Sequence, residues 1–417
     1  MDFAYSEKSL DVQARVRRFM DEHIVPRARD WEASVHAGVF PPPFIEDLKA
    51  KAKAEGLWNL FLPSLRPDEP GNGLNNLDYA PVAELLGHIM WSSEIFNCNA
   101  PDTGNMELLH MFASEQQYKD WLRPLLEGKI RSAFAMTEPA VASSDATNIQ
   151  TRIERVGDHY VVNGRKWFIT NAADPRCKIA IVMGVTNPDA ETHRRQSMIL
   201  IPFGTPGFSV IRNPTVMNHV APEGHCEVVF DNVKVPVANL LGSEGQGFEM
   251  AQARLGPGRI HHCMRSIGQC EVALDLMMQR AQDRRTFGQT LAEHGTVMEW
   301  IAMSRAEIEQ ARLLVLRTAW LMDKHGNKAA RKDVSLIKVV VPRMQTTIAN
   351  RAIQAFGAKG LTGDTPIAAI WSWGRALQIV DGPDEVHLRT ISRLEIKEQK
   401  KRLGNRRLDE LTGFPID

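Results

Sequence analysis

Several short segments carry residue types suited to holding a flat, charged ligand. Met136-Thr137-Glu138-Pro139-Ala140-Val141-Ala142-Ser143-Ser144-Asp145 runs from a strand into a loop of small residues. Its hydroxyls and backbone N–H groups could hydrogen-bond a polar heterocycle edge-on; Ser and Asp as turn formers at a strand exit are the plainer reading. Asn163-Gly164 reads as a hairpin turn. The strand after it puts Phe168 and Thr170 on one face, a ring to stack on a flat ligand and a hydroxyl to hold its edge. Ordinary strand packing accounts for the same pair. Asp283-Arg284-Arg285-Thr286-Phe287-Gly288 follows a helix end. Its arginines could grip a pyrophosphate bidentately, or remain solvated charges favoured by the helix dipole. Gln354-Ala355-Phe356-Gly357-Ala358-Lys359-Gly360 offers either a backbone open to close approach or a helix stop. His261-His262-Cys263 invites a metal reading, but adjacent helical residues point apart by about 100°. Metal sites need convergent ligands, and none is expected here.

Three blocks must position these segments, in the order helical domain (1–130), β-domain (131–243) and helical bundle (244–417), an α+β fold. In the first, Ser6 can cap a helix whose stripe is Val12, Val16, Phe19 and Met20, ending before Pro26. Pro41-Pro42-Pro43 precedes a second helix, Phe44 to Ala54, and residues 63–73 read as loop. In the second block, 153–156, 159–162, 179–182, 198–201 and 228–230 are short β-branched runs separated by Gly and Pro turn pairs, predicting an antiparallel β-domain. In the third the period returns to 3.6. Val297, Ile301, Ile308, Ala311, Val315, Ala319 and Met322 form one face, and 248–281, 332–356 and 367–379 repeat the pattern, giving a four-helix bundle.

The 417 residues balance 50 Lys+Arg against 50 Asp+Glu, so no nucleic-acid or membrane partner is expected from charge. Five scattered cysteines without a CxxC pair suit reduced thiols, hence a cytoplasmic setting. The N-terminal stretch lacks an apolar leader core and carries Glu7 and Asp11 early, so a soluble, unprocessed chain is expected.

Together and in order, T-E-P…S-D at 137–145, N-G-x-K-x-x-I-T-N at 163–171, F-D-N-V-x-V-P at 230–236, N-L-L-G-x-E-G-x-G-F at 239–248, R-x-T-F-G at 284–288 and Q-x-F-G-x-x-G at 354–360 resemble the acyl-CoA dehydrogenase family over essentially the whole chain. The resemblance implies a bound FAD, an acyl-CoA substrate, fatty-acid β-oxidation, an electron-transfer flavoprotein as acceptor, and a homodimer or homotetramer. It places Phe134, Met136, Thr137, Ser143, Ser144, Phe168 and Thr170 along the flavin. Arg284, Thr286 and Phe287 would hold its pyrophosphate and adenosine end. Gln354, Gly357 and Ala358 would reach the flavin of a neighbouring subunit. Phe168 stands where many members have tryptophan.

The implied chemistry needs a carboxylate near the α-proton of a thioester and stabilisation of charge at the carbonyl oxygen. An apolar pocket is expected to raise the base's pKa. Where the family carries a glutamate in a Tyr-Glu-Gly segment, this chain has Val380-Asp381-Gly382-Pro383-Asp384-Glu385. The family's other location for the base is here Gly256-Pro257-Gly258-Arg259, which has no carboxylate. Asp381 is therefore the implied base, though an Asp before Gly-Pro is also an ordinary turn former. Gly382, Pro383 and Glu385 would flank the cofactor, and Ser144, Gly256 and Arg259 the substrate. Gly256 replaces an aspartate that elsewhere contacts the pantetheine arm. The GPGR and DGPDE-VH segments most resemble the branch of animal members ten and eleven (dehydrogenase domain) and their bacterial relatives. Two other readings stay open: a nitroalkane oxidase-like flavoprotein, and a flavin-bearing DNA-binding protein, the latter suggested by Lys397, Lys400, Lys401, Arg402, Arg406 and Arg407. Acids interspersed among those charges also fit a solvated helix.

Overall fold

The computed structural model describes residues 4–217, 221–404 and 406–414. The first helix, α1 (Glu7–Phe19), begins at Ser6, whose hydroxyl accepts from Ser9 N, and buries Val12, Val16 and Phe19. It does not stop before Pro26. The chain stays helical through Met20–Ile24 and the tight turn Val25–Arg27, then enters α2 (Ala28–His36). Pro26 sits in the first positions of that turn, where a missing N–H breaks no bond. Next come α3 (Ile45–Ala54), α4 (Asn76–Gly87, capped by the Asn75 side chain) and α5 (Asp102–Phe112).

The sheet comprises β1 (Arg131–Ala135), β2 (Arg152–Val156), β3 (His159–Thr170), β4 (Cys177–Val185), β5 (Gln196–Pro202), β6 (Phe208–Arg212), β7 (His225–Pro236) and β8 (Leu240–Leu241). Their order is β6-β7-β3-β2-β4-β5-β8, with β1 beside β4. The sheet is mainly antiparallel, but β1 runs parallel to β4 from Ser132↔Ile179 to Ala135↔Val182. Parallel pairing requires a long crossover, and the β2–β3 hairpin lies inside it. Residues of β4 divide between two cores. Ile179, Ile181 and Met183 join the large core shared with the helices, whereas Ala180 and Val182 join a smaller one on the other face.

Asn163-Gly164 is not a turn. It lies inside β3 opposite β7, where the register shifts between Val162↔Val233 and Gly164↔Phe230. Asn163 Oδ1 accepts from Asn232 N at 2.8 Å. A Cβ on Gly164 would stand 2.3 Å from Thr151 Oγ1, so the glycine is there for a close approach. A second shift between Lys166 and Ile169 gives Phe168 a φ of +54°.

The bundle is α6 (Gly247–Asp283), α7 (Gly295–Ala329), α8 (Arg331–Phe356) and α9 (Ile367–Leu377), followed by α10 (Asp384–Leu403) along α8. A small hairpin, β9 (Arg285–Thr286) and β10 (Gln289–Thr290), follows α6. Helix α6 is the hub, packing on α4, α5, α7 and α8. Its crossing with α4 brings backbones together: a Cβ on Gly268 would lie 1.9 Å from Glu84 O, and one on Gly87 2.1 Å from Arg265 O. Among the described residues no helix is long and apolar enough to cross a membrane.

Buried Arg131 ties the helical domain to the sheet. Its Nε donates to Asp102 Oδ2 at 2.6 Å, while Asp102 Oδ1 accepts from Ser132 N at 2.7 Å. That clamp fixes the strand that carries Phe134.

Candidate active site

The chain leaves α9 through Gln378–Pro383 before α10 begins, and this connection carries Asp381. Two successive residues have left-handed backbones, Asp381 with φ +55° and Gly382 with φ +100°. Asp tolerates that region better than most residues. At Gly382 a Cβ would fall 3.0 Å from His387 Nε2. The loop is pinned from three helices. Lys338 Nζ, on α8 and fully buried, donates to Leu377 O and to Val380 O, the latter at 2.9 Å. Arg259 Nε, on α6, donates to Asp381 O at 2.8 Å, and His387 Nε2, on α10, donates to the same oxygen at 3.3 Å. Burial lowers the His387 pKa to about 4, leaving a neutral ring whose Nδ1 accepts from Ser335 Oγ at 3.3 Å.

The Asp381 carboxylate is itself 22% exposed, with Oδ2 3.4 Å from His262 Nε2. His262 Nδ1 lies 3.2 Å from Arg265 Nη2. Burial pushes the Asp381 carboxyl up, but the hydrogen bond from His262 and the charges of Arg254 and Lys338 outweigh it and hold it well below the usual carboxylate range. The sequence-based expectation of a raised pKa is thereby reversed. The groups responsible come from separate turns of α6 and from α8.

The two neighbouring carboxylates are differently placed. Asp384 is buried and accepts from Arg343 Nε at 2.8 Å, and Glu385 is exposed. Gly258 faces the Asp381 carboxylate, its would-be Cβ 3.8 Å from Oδ2, and buried Gly256 lies against Asn327. His261 and His262 diverge as helix geometry requires. His261 packs edge-on to Tyr79 and Phe61 while His262 turns to Asp381. Among the described residues no three His, Cys, Asp or Glu side chains converge for a metal.

The flavin-side candidates gather at the exit of β1. Phe134 is covered by the Arg254 guanidinium at 4.0 Å, and Arg254 Nε donates to Asn105 Oδ1 at 2.9 Å. Arg254 thus links Phe134 to the charges around Asp381. Met136 O accepts from Lys166 Nζ at 2.9 Å, and Thr137 O accepts from Trp167 N at 3.0 Å. Ser143 Oγ accepts from Glu138 N at 2.8 Å and shapes the loop, whereas Ser144 is exposed. Phe168 is exposed beside Trp167, whose buried Nε1 has no acceptor among the described residues. Thr170 Oγ1 meets His225 Nδ1 at 3.0 Å.

The remaining candidates lie elsewhere. Arg284 is exposed, and Phe287 forms the 96% exposed tip of the β9–β10 hairpin. Exposed Gln354, Gly357 and Ala358 sit at the C-terminal end of α8, where Gly357 turns the chain with φ +66°. The Arg280 guanidinium, 5.5 Å from the Phe356 ring, puts both groups at one end of the bundle. Arg254 and Arg284 are thirty residues apart along α6, about 45 Å at 1.5 Å per residue.

Sequence reasoning did not single out Arg254, Arg265, Lys338 or His387, which surround Asp381, and considered His262 only for a metal reading that it rejected. Lys338 did leave a signal, a lone lysine in the apolar run Ile337-Lys338-Val339-Val340-Val341.

Models of the acyl-CoA dehydrogenase N-terminal, middle and C-terminal domains match residues 6–129, 133–233 and 245–395. FadE2 of Mycobacterium tuberculosis, named as a probable acyl-CoA dehydrogenase, is 56% identical over 408 residues, 96% of this chain and 98% of that one. Acyl-CoA dehydrogenase family member 11 of Gallus gallus is 50% identical over 96% of this chain but only 52% of its own length, so the chain spans about half of that relative. Butyryl-CoA dehydrogenase of Megasphaera elsdenii superimposes with a TM-score of 0.80 at 26% identity, covering 95% of this chain and all of that one. The chain belongs to the acyl-CoA dehydrogenase family of oxidoreductases.

Proposed function

We propose that the protein oxidises an acyl-CoA thioester to the 2-enoyl-CoA with Asp381 as the α-proton base and FAD as cofactor. The observation that carries this reading is the isolation of one carboxylate. Of the three in the 381–385 segment, Asp381 alone is neither engaged by an arginine side chain nor exposed, and glycine at 258 keeps the space before it open. The Asp381 N–H has no acceptor among the described residues and is available to a thioester carbonyl oxygen as charge develops there.

The residues fit a flavin. The unpartnered Trp167 Nε1, the exposed Phe168 ring and the Thr170 hydroxyl suit a flat heterocycle with polar edges. Bound FAD supplies the acceptor for the β-hydride. Asp381 takes the α-proton, Arg259 and His387 hold its carbonyl, and Lys338 keeps the loop from drifting. A dinucleotide lying along Phe134 and Thr137 is too short to reach Arg284 of the same chain, about 45 Å along α6 from Arg254. Arg284, Thr286 and Phe287 therefore serve, with Gln354, Gly357 and Ala358, the flavin of a neighbouring copy. This revises the expected division of labour and makes a homodimer, alone or paired into a homotetramer, the functional unit. An electron-transfer flavoprotein is the proposed acceptor. The five cysteines, all buried and unpaired, fit the cytoplasm.

Anaerobic addition of acyl-CoA thioesters of varied chain length tests this reading. At least one should bleach the flavin absorbance. A protein that takes up no FAD, or a flavin that no thioester reduces, overturns it.

A further inference from the structure

His262 stands between two charges of opposite sign. On one side Arg265 Nη2 lies 3.2 Å from His262 Nδ1, and on the other Asp381 Oδ2 lies 3.4 Å from His262 Nε2. Arg265 is buried, its only other bond runs from Nη1 to Cys98 O at 3.4 Å, and it has no carboxylate partner among the described residues. A guanidinium has donors only. It therefore donates to Nδ1, which must accept, and the single ring proton of neutral His262 is confined to Nε2, the nitrogen 3.4 Å from the carboxylate. Helix spacing supports the arrangement, since His262 and Arg265 are three apart on α6 and share a face. The Gly87–Gly268 crossing with α4 holds that face in place.

We propose that His262, locked by Arg265 as an Nε2–H donor, is the positioning residue that aims the Asp381 carboxylate, and that it is not a proton relay. The inference rests on Asp381 being the base. Two features follow from the geometry. With Nδ1 occupied by a cation's proton, His262 cannot pick up a second one, so the proton taken by Asp381 does not leave through this ring. Burial lowers its pKa, and with Arg265 it outweighs Asp381, which raises it. The other groups facing Asp381 are Arg254, Arg259 and Cys263 from α6, Lys338 from α8 and His387 from α10. None of them replaces a directed donor to Oδ2.

The test is the pH profile of anaerobic flavin reduction by a substrate thioester in the holoenzyme. The wild type should be flat between pH 5 and 8. His262→Asn carries an amide whose nitrogen stops short of the Nε2 position. It should slow flavin reduction at least ~10-fold at every pH in this range, because the carboxylate, still held ionised by Arg254 and Lys338, loses the group that aims it. His262→Gln, whose amide reaches the Nε2 position, should restore the rate. Arg265→Met frees Nδ1 to take a proton and should bring a pH dependence into the profile, its midpoint below the ordinary imidazole value because burial of the ring persists. This last variant decides the matter should His262→Asn fail to fold. A wild-type rate in His262→Asn, or a flat profile in Arg265→Met, overturns the inference. Undiminished reduction by Asp381→Asn overturns the base assignment instead, so the two failures are distinguishable.

Discussion

Asp381→Asn separates chemistry from structure cleanly, because the turn is suited to the substitution. Asn is among the residues that most readily adopt positive φ, so the +55° backbone survives. The amide oxygen still accepts from His262 Nε2, and the bonds from Arg259 and His387 go to the main-chain carbonyl, which is unchanged. Folding, flavin content and substrate binding should all be retained. What disappears is the ability to take a proton. Removing a general base lowers rates ~10²–10⁴-fold, about 2.7–5.5 kcal/mol of barrier at 1.36 kcal/mol per decade. Asp381→Glu retains the carboxylate but carries its extra methylene toward His262 from a left-handed backbone that suits Glu less well. With an unfolding entropy of about 2.1 cal/mol/K per residue, strain of ~1 kcal/mol moves Tm by only ~1 °C in a chain this long. Kinetics, not melting, is therefore the sensitive readout, and this variant should be slowed or shifted in substrate preference without being silenced. Stopped-flow bleaching at saturating thioester measures both. If Asp381→Asn bleaches at the wild-type rate while Glu385→Gln does not, the base has been assigned to the wrong carboxylate.

Arg284→Ala should lower flavin occupancy and Tm together, since a bound ligand stabilises the folded state by mass action; unchanged values would leave Arg284 an idle surface charge, worth roughly 0–1 kcal/mol. Gly268→Ala drives a Cβ to within 1.9 Å of Glu84 O, a backbone atom that cannot swing away. Overpacking of ~3 kcal/mol should exceed the ~1 kcal/mol gain in helix propensity, lowering Tm by a few degrees in calorimetry. Burial raises the Glu107 pKa to about 8, so it folds protonated at neutral pH. Its folded value lies above its unfolded one, so its contribution is fully present below the ordinary glutamate range and lost as pH rises through about 8. Glu107→Gln removes that loss, and the Tm difference, variant minus wild type, should grow from pH 5 to pH 9; a constant difference would refute it.

Periodicity made the helices legible because their packing is local. Of the predicted stripe, Val297, Ile308, Ala311, Val315, Ala319 and Met322 are buried as the 3.6 repeat requires, and Ile301 is half-buried. Failures occurred where distant chain decides the outcome. Asn163-Gly164 has the composition of a turn, yet β7 pairs across it, and its glycine answers to Thr151 and not to a hairpin. The parallel pairing of β1 joins strands separated by the β2–β3 hairpin, which no local pattern reveals. The same holds at the site. Asp381 is singled out through the family resemblance, since an Asp before Gly-Pro by itself marks an ordinary turn. Its electrostatic setting could not be read, because it depends on how α6, α8 and α10 converge on one loop.

That setting changes how the proposed base should be understood. A carboxylate held low by Arg254, His262 and Lys338 is intrinsically a weaker base than one raised by an apolar pocket. During proton abstraction, however, the negative charge does not vanish. In the proposed reaction it passes from Asp381 to the thioester carbonyl oxygen, which the Asp381 N–H would bring into the field of Arg254 and Lys338. Groups that stabilise the carboxylate before transfer also stabilise the enolate-like charge after it, so much of the loss in basicity is returned at the transition state. The stationary part of the device is Arg254, which covers Phe134 on the flavin side and faces Asp381 on the other. Depressing the base in this way keeps it ionised over the whole working pH range. On the proposed mechanism the rate is then governed by how well the carbonyl oxygen is held, so the Asp381 N–H and the loop that carries it matter as much as the carboxylate.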